Sequence, residues 1–412
     1  MQMTGARVAF LAVLALAMVV GGAASAQAQS GPVKIGFIYP DSGPMAQLGL
    51  DLRDGFQLYW SEVGNKAGGR PVEVLVERKA SCKADEGLTK ARKLVERDGV
   101  HILGGIICTP VAYALRPYVI EKKIPFVVMN AGANELTMKL RSPYIFRSSF
   151  SNSDGSHALG EWLFKHGYKK IVLVASDFGG SIEHIGGVAR TFVEAGGQVI
   201  QEIYPPLGAP DFGPYLSQIR PDANAVVTAV FGIDALRFVK QYAEFGLKDK
   251  IPLIGKALTT EDMLPAMGDA ALGIISVFHY SAALDTPENK RFVEAYRAKF
   301  KRTTTGLADQ GYVGAQMIAK TLEAVKGNVE NQEAFLAALG RVEIDAPRGK
   351  VKLDPFHNPI HTIYVFRVEK RDGVLQNIPI ASYPNTHQFW KWTPEQFMAM
   401  RSYVDMKGKW AK

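Results

Sequence analysis

The chain has 412 residues, 47% apolar and 21% charged, which suits two or three globular domains and excludes a disordered or fibrous protein. Forty-eight lysines and arginines against 40 aspartates and glutamates leave a mild excess of +8, without the concentrated basic patch that nucleic-acid binding requires. Two cysteines, Cys82 and Cys108, are too few for a disulfide-dense scaffold or an all-cysteine metal cluster.

Residues 1–28 read as a secretory signal peptide. Arg7 precedes an apolar run from Val8 to Val20, and Ala24-Ser25-Ala26 and Ala26-Gln27-Ala28 both fit the small-residue cleavage pattern. The run is shorter than the roughly 20 residues that span a bilayer. No cysteine stands near the cleavage site to carry a lipid, so a periplasmic chain without a lipid anchor is expected.

Strand and helix then alternate. Strand patterns at Val33–Tyr39, Val72–Glu77, His101–Ile107 and Phe126–Met129 are separated by helical periodicity at about Met45–Val63, Leu88–Val95 and Ala112–Lys122. That rhythm predicts a parallel sheet with helices on both faces. After the polar segment Arg147–Asn152, a natural linker, a second unit repeats it. Its strands are expected at Ile171–Val174, Val199–Tyr204, Ala225–Phe231 and Pro252–Ile254, and the remainder, which forms no third unit, opens with one strand at Ile274–Phe278. Helices at about Asn289–Lys299, Gln310–Val325 and Gln332–Leu339 carry too few strands to fold alone. They are expected to return to the first unit, with the strand Thr362–Val368 completing the second. The fold class is therefore α/β: two Rossmann-like lobes joined by several crossings, with a cleft between them. Cys82 and Cys108 both follow strands; adjacent parallel strands in an oxidising compartment would bring them into a disulfide, the alternative being two buried thiols.

Catalytic signatures are missing: no glycine-rich phosphate cradle follows a strand, and no serine-hydrolase elbow or zinc-helix motif is present. No catalytic residue, metal site or cofactor is assigned. His357 and His361 are four apart, but Pro359 forbids a regular helix between them, and a surface loop is expected. Glu261 and Asp262 follow Thr259-Thr260 and read as helix-start carboxylates. What remains is the set of loops at the carboxyl ends of the strands, where open α/β sheets bind ligands. These carry Tyr39–Pro44, Cys108-Thr109-Pro110 and Asn130–Asn134 in the first unit. In the second they carry Asp177–Ser181, Phe231–Asp234 and Lys256-Ala257. The helix expected to begin at Glu135 offers amide groups for a carboxylate.

In these loops the chain resembles the periplasmic solute-binding proteins of ABC importers, of the branched-chain amino acid (leucine/isoleucine/valine) type. The resemblance spans about Val33 to Val368. It rests on Ser42–Gly49, Asn65–Arg70, Cys82 with Cys108-Thr109, Ala131–Thr137, Phe146-Arg147 and Gly311-Tyr312. It implies a hinged two-lobed fold, commonly with one disulfide at this cysteine position, that closes on a small molecule and delivers it to permease subunits. The implied boundaries are 31–148 with 279–355 for lobe 1 and 149–278 with 356–382 for lobe 2. The tail, 383–412, matches no motif and is expected to pack on lobe 2. A monomer is expected.

Carried over by resemblance, Thr109 grips a ligand carboxylate with its hydroxyl, and the backbone of Ala131, Gly132 and Ala133, after Asn130, does the same. Leu48 stands where an aromatic side chain often covers the ligand, and Phe231 faces the cleft. Two departures bear on the ligand. After Asp177 and Phe178, the tyrosine position is Gly180. The acidic residue that pairs with an α-ammonium is due shortly after Gly255, where Lys256-Ala257-Leu258 stand instead. A buried ammonium without a partner is costly, so the favoured ligand is an aromatic or phenylpropanoid carboxylate. Asp234, Glu261 or Asp262 as a substitute acid keeps a branched-chain amino acid or short amide open. A ligand sensor for a membrane receptor is the second functional reading, and a secreted hydrolase the third.

Overall fold

The computed structural model describes residues 31–77 and 82–411; the predicted signal peptide lies outside them. β1 (Val33–Ile38), β2 (Lys66–Ala67), β3 (Arg70–Glu77), β4 (Ile102–Gly105), β5 (Phe126–Val128) and β6 (Ile145–Arg147) form a six-stranded sheet in the order β2-β3-β1-β4-β5-β6. All its pairings are parallel except the β2–β3 hairpin. β1 is buried on both faces, as a central parallel strand must be. The helix Gly306–Ala324 returns against the helix Ala46–Glu62 beside this sheet. Their backbones touch where two glycines allow it: a Cβ at Gly55 would lie 1.8 Å from the Ala308 carbonyl oxygen, and one at Gly311 would lie 2.0 Å from that of Leu52.

The second sheet contains β7 (Lys170–Ala175), β8 (Gln198–Ile203), β9 (Ala225–Ala229), β10 (Leu253–Lys256), β11 (Ile275–Phe278), β12 (Glu343–Ala346), β13 (Gly349–Leu353), β14 (Pro359–Arg371) and β15 (Val374–Thr386). Its order is β12-β13-β14-β11-β10-β9-β7-β8, with β15 paired antiparallel to β14 from His361 to Arg371. Two α/β units and their strand rhythm are thus as expected from the sequence. Five strands were not: β2, β6, β12, β13 and β15. β15 contains Pro379 and Pro384, which read as breakers but are tolerated on a strand that pairs on one side only. β12 and β13 hydrogen-bond into the second sheet while Ile344, Ala346 and Val351 pack in the core of the first.

Cys82 and Cys108 form a disulfide with Cα atoms 5.3 Å apart. The expected adjacency of their strands is corrected: β1 lies between β3 and β4, and the loops that follow, not neighbouring strand ends, bring the cysteines together.

The crossings between the sheets are buried and charged. Ser148, Ser149 and Ser151 in the first linker are fully buried. The Arg147 guanidinium donates to the carbonyls of Ala133 (2.6 Å) and Phe150 (3.0 Å) and to Asn358 Oδ1 (3.0 Å). The histidine pair is not a surface loop. His361 lies inside β14, fully buried, with Nε2 3.4 Å from Asp154 Oδ2, and His357 stacks on Phe146 with ring centroids 4.0 Å apart. Proline at the first position of β14 starts a strand rather than a turn, which is what the spacing concealed.

The tail packs against parts of both units. Thr137 and Gln388 exchange side-chain and backbone hydrogen bonds, and Met138 packs with Phe389, Phe397 and Tyr403. On the other unit, Tyr403 Oη lies 2.6 Å from His157 Nε2, and Glu202 accepts from the amides of Gly408, Trp410 and Ala411. Among the described residues no helix is long and apolar enough to cross a membrane.

Candidate functional site

In each sheet the strand order reverses once beside the cleft, at β1/β4 and at β7/β9, and open α/β sheets place ligands at such points. The loops leaving those strands enclose a cavity of about 270 Å³. From the first sheet come Met45 and Leu48 after β1, the Cys82–Cys108 disulfide with Thr109 after β4, and Asn130 and Gly132 after β5. The second sheet contributes Phe178, Gly180 and His184 after β7, Phe231 after β9, and Lys256 at the end of β10. The linker residues Phe150 and Asn152 and the β11 residue Phe278 line it as well.

Two strand ends are bent sharply to face this space. Ile106 after β4 and Ala257 after β10 have positive φ (67° and 47°), a conformation non-glycine residues seldom take and one that clusters at functional sites. They turn the chain immediately before Thr109 and after Lys256.

Among the described residues that line the cavity, Lys256 is the one charged side chain. It is 1% exposed, and among the described residues its Nζ has no hydrogen-bond partner. The amine lies 5.4 Å and 5.3 Å from the ring centroids of Phe150 and Phe278. Burial pushes its pKa down to about 8, against an opposing pull from the Asp154 carboxylate. That carboxylate is itself committed to the Ser151 amide (3.1 Å) and to His361. A Cβ at Gly155 would lie 2.6 Å from Nζ, so glycine there is what admits the amine. His184 stands between Phe150 and Phe231, its ring centroids 5.9 Å and 5.3 Å away. Burial pushes the His184 pKa down to about 3, so the imidazole is neutral.

Gly180 has a local reason. A Cβ there would come 2.8 Å from the Phe178 ring, so Phe178 fills the space a larger residue at 180 would need. Of the residues singled out in the sequence, Leu48, Thr109, Asn130, Gly132, Phe178, Gly180, Phe231 and Lys256 stand around one cavity. Ala131 and Ala133 do not line it: the Ala131 amide donates to the Ile106 carbonyl, and the Ala133 carbonyl accepts from Arg147. The turn Asn134–Thr137 is a short 3-10 helix, and the Asn134 amide donates to Glu183 Oε2 (3.2 Å) rather than facing the cavity. None of the substitute acids reaches the cavity. Asp234 accepts from the Gly208 amide, while Glu261 and Asp262 line a separate groove, where Glu261 accepts from Asn377 and Ala282. Sequence reasoning missed Phe150, Asn152, His184 and Phe278. The strand-end rule reaches Phe278, but nothing local marks the others, which arrive from the linker and from one turn inside a helix.

Glu183 crosses between the units. It accepts from Asn152 Nδ2 (2.7 Å) and from the Asn134 amide, and burial pushes its pKa up to about 7 against the pull of these bonds and of Arg147. A carboxyl whose folded pKa is raised from 4.5 binds more protons folded than unfolded. Its contribution is present below the unfolded value and is lost as pH rises through about 7. Glu183→Gln is expected to flatten the fall in melting temperature between pH 5 and 7 by about 1–3 kcal/mol of stability, read by thermal scans at fixed ionic strength. An unchanged slope would place the titration elsewhere.

Residues 32–373 match the family model described as periplasmic binding protein. The Leu/Ile/Val-binding protein homolog 6 of Brucella suis is 34% identical over 379 residues, covering 89% of this chain and 95% of that protein. An ABC transporter substrate-binding protein from Sphaerobacter thermophilus superposes with a TM-score of 0.83 at 38% identity, covering 87% of this chain and 99% of its own. A solute-binding protein of an ABC transporter from Rhodopseudomonas palustris BisB5, solved with 3,4-dihydroxybenzoic acid, gives 0.83 at 32% identity over 87% and 98%.

Proposed function

The chain belongs to the periplasmic binding protein family, and from that premise we propose that it captures an aromatic carboxylate between its two units and delivers it to the permease of an ABC importer. The carrying observation is the unpartnered amine of Lys256 in a cavity otherwise walled largely by Phe150, Phe178, Phe231, Phe278 and Leu48. A ring fills the apolar space, and a carboxylate supplies the missing partner. Among the described residues of the lining, an α-ammonium would meet no acid and a like charge instead. The neighbour from R. palustris, which holds a dihydroxybenzoic acid, supports this reading. The name of the Brucella relative supports the alternative, a branched-chain amino acid.

With this reading go residues 31–148 and 279–355 as lobe 1, residues 149–278 and 356–382 as lobe 2, export by cleavage after residue 26 or 28 without a lipid anchor, and action as a monomer. Closure follows from contacts that one ligand makes to both lobes, since only such contacts shift the equilibrium between open and closed states.

A thermal-shift series of benzoate, hydroxybenzoates, cinnamates, leucine and short amides tests the ligand class. A true ligand at 100 times its dissociation constant adds roughly 2.7 kcal/mol. Shifts confined to α-amino acids would defeat the aromatic-acid reading. Thr109 begins the helix Thr109–Glu121, whose preceding residue gives no side-chain cap. Thr109→Val is expected to weaken benzoate-type ligands by about 10- to 100-fold, the worth of a hydrogen bond to a charged group, at unchanged melting temperature. Equal affinity by calorimetry would remove Thr109 from the site.

A further inference from the structure

We propose that Lys256 also captures aromatic aldehydes covalently, as a reversible imine formed inside the cavity. The inference rests on the reading above in one respect, that the cavity admits an aromatic ring, and it adds an uncharged ligand class to the same site. Importing a solute as its carboxylate makes no use of a nucleophile, and this amine is equipped to be one.

Among the described residues its Nζ has no hydrogen-bond partner to hold its lone pair or its protons, and it lies 5.4 Å and 5.3 Å from the centroids of two rings that line the cavity. Buried lysines without a counter-charge give up their proton readily and serve as Schiff-base formers. The groups that face it do little to hold a proton there. Asp154, at the start of the helix Asp154–Lys165, pulls the other way but is bound to His361, Ser151 and Gly155. His184 from the helix Gly179–Glu194, His279 after β11 and His361 in β14 are all held below their ordinary pKa by burial. An amine near neutrality in pKa is therefore part uncharged at ordinary pH. An aldehyde, carrying no charge, prefers this lining to water.

The step balances within the pair. The nitrogen lone pair attacks the carbonyl carbon, and the π electrons move to oxygen. The carbinolamine then loses that oxygen as water together with both amine hydrogens, leaving a carbon–nitrogen double bond. No oxidant or reductant takes part, and water reverses the step on release.

The test uses the whole exported chain with benzaldehyde at pH 8, borohydride reduction, intact mass and peptide mapping. One benzyl group per chain, on Lys256, is expected. Benzoate at ten times its dissociation constant should slow the labelling by about tenfold, as simple competition requires. Lys256→Arg forms no stable imine, so it should lose the adduct, with circular dichroism and its melting temperature reporting that it folds. Labels spread over surface lysines with the Lys256 peptide unmodified would overturn the inference. If benzoate binds by calorimetry yet no adduct forms, the imine alone fails. If Lys256 is labelled but benzoate neither binds nor protects, the aromatic-acid reading fails and the imine stands.

Discussion

Lys256→Met should bind an aromatic carboxylate roughly 10²- to 10³-fold more weakly than the native chain, at an apo stability equal to or above it. The two expectations have one cause. In the unliganded protein the amine is buried with no hydrogen-bond partner among the described residues, and the pull of Asp154 offsets its desolvation only in part. Methionine keeps the length and apolar stem and removes that cost. In the complex the carboxylate would pair with the ammonium, and deleting one side of a buried charge pair costs about 2–5 kcal/mol.

The pH dependence follows with its sign. A bound carboxylate favours the ammonium, whereas in the free protein burial holds the pKa at about 8. Below that value the amine is already charged, and affinity should vary little. Above it each complex takes up one proton, and affinity should fall by about tenfold per pH unit. For folding the sign is opposite. The depressed pKa means that the native chain holds fewer protons than the unfolded chain between about 8 and the ordinary lysine value of 10.5, so this group's contribution grows as pH rises across that window. Calorimetric titrations from pH 6 to 10 on both proteins check this. A native-like affinity in Lys256→Met, or a flat profile above pH 8, would take Lys256 out of the site.

Arg348→Met should cost about 3–5 kcal/mol, the largest loss expected from any single substitution discussed. Arg348 and Asp309 are both fully buried and paired, and Arg348 also donates to the Ser148 carbonyl. Tyr364 donates to the Arg348 carbonyl at 3.1 Å. The pair therefore ties the turn between β12 and β13 to the helix Gly306–Ala324, to the first linker and to β14. Without the guanidinium, Asp309 keeps a buried charge whose Oδ1 already lacks a partner. Burial already pushes the Asp309 pKa up, and Arg348 is what opposes that push. In the variant the rise is larger, so the deficit should narrow as pH falls and the carboxyl protonates. Arg348→Met/Asp309→Leu should recover most of the loss, because removing both charges also removes the uncompensated one. Urea unfolding of the three proteins decides it. A double variant as unstable as Arg348→Met alone would mean that packing, not charge, sets the effect.

The strand and helix rhythm was legible because it is local. Val33–Ile38 is apolar on both faces, and the stripe Leu48, Leu52, Phe56 and Tyr59 repeats at helical spacing. Loops at strand ends could be named as ligand-facing before any coordinates, since parallel sheets put their open crevice there. The lysine in place of an acid could be read in the same way, because residue type and position after Gly255 are both sequence facts.

Other features needed the folded chain. Proline in β15 and at the start of β14 signals a break until the topology shows that β15 pairs on one side only and that Pro359 is the first residue of its strand. His361 gave no local sign of burial; it is buried because β14 carries it against Asp154, 207 residues earlier. Ala131 and Ala133 matched a family pattern, yet their backbones are engaged by Ile106 and Arg147. The sequence by itself determined the class of fold, the order of its elements and which loops meet the cleft, because these follow from periodicity and chain direction. Only the tertiary structure decided that Phe150, His184 and Phe278 join Lys256 in one cavity, and that its amine has no partner. Burial and unpaired charge are properties of what surrounds a side chain, and those surroundings come from segments far apart in the chain.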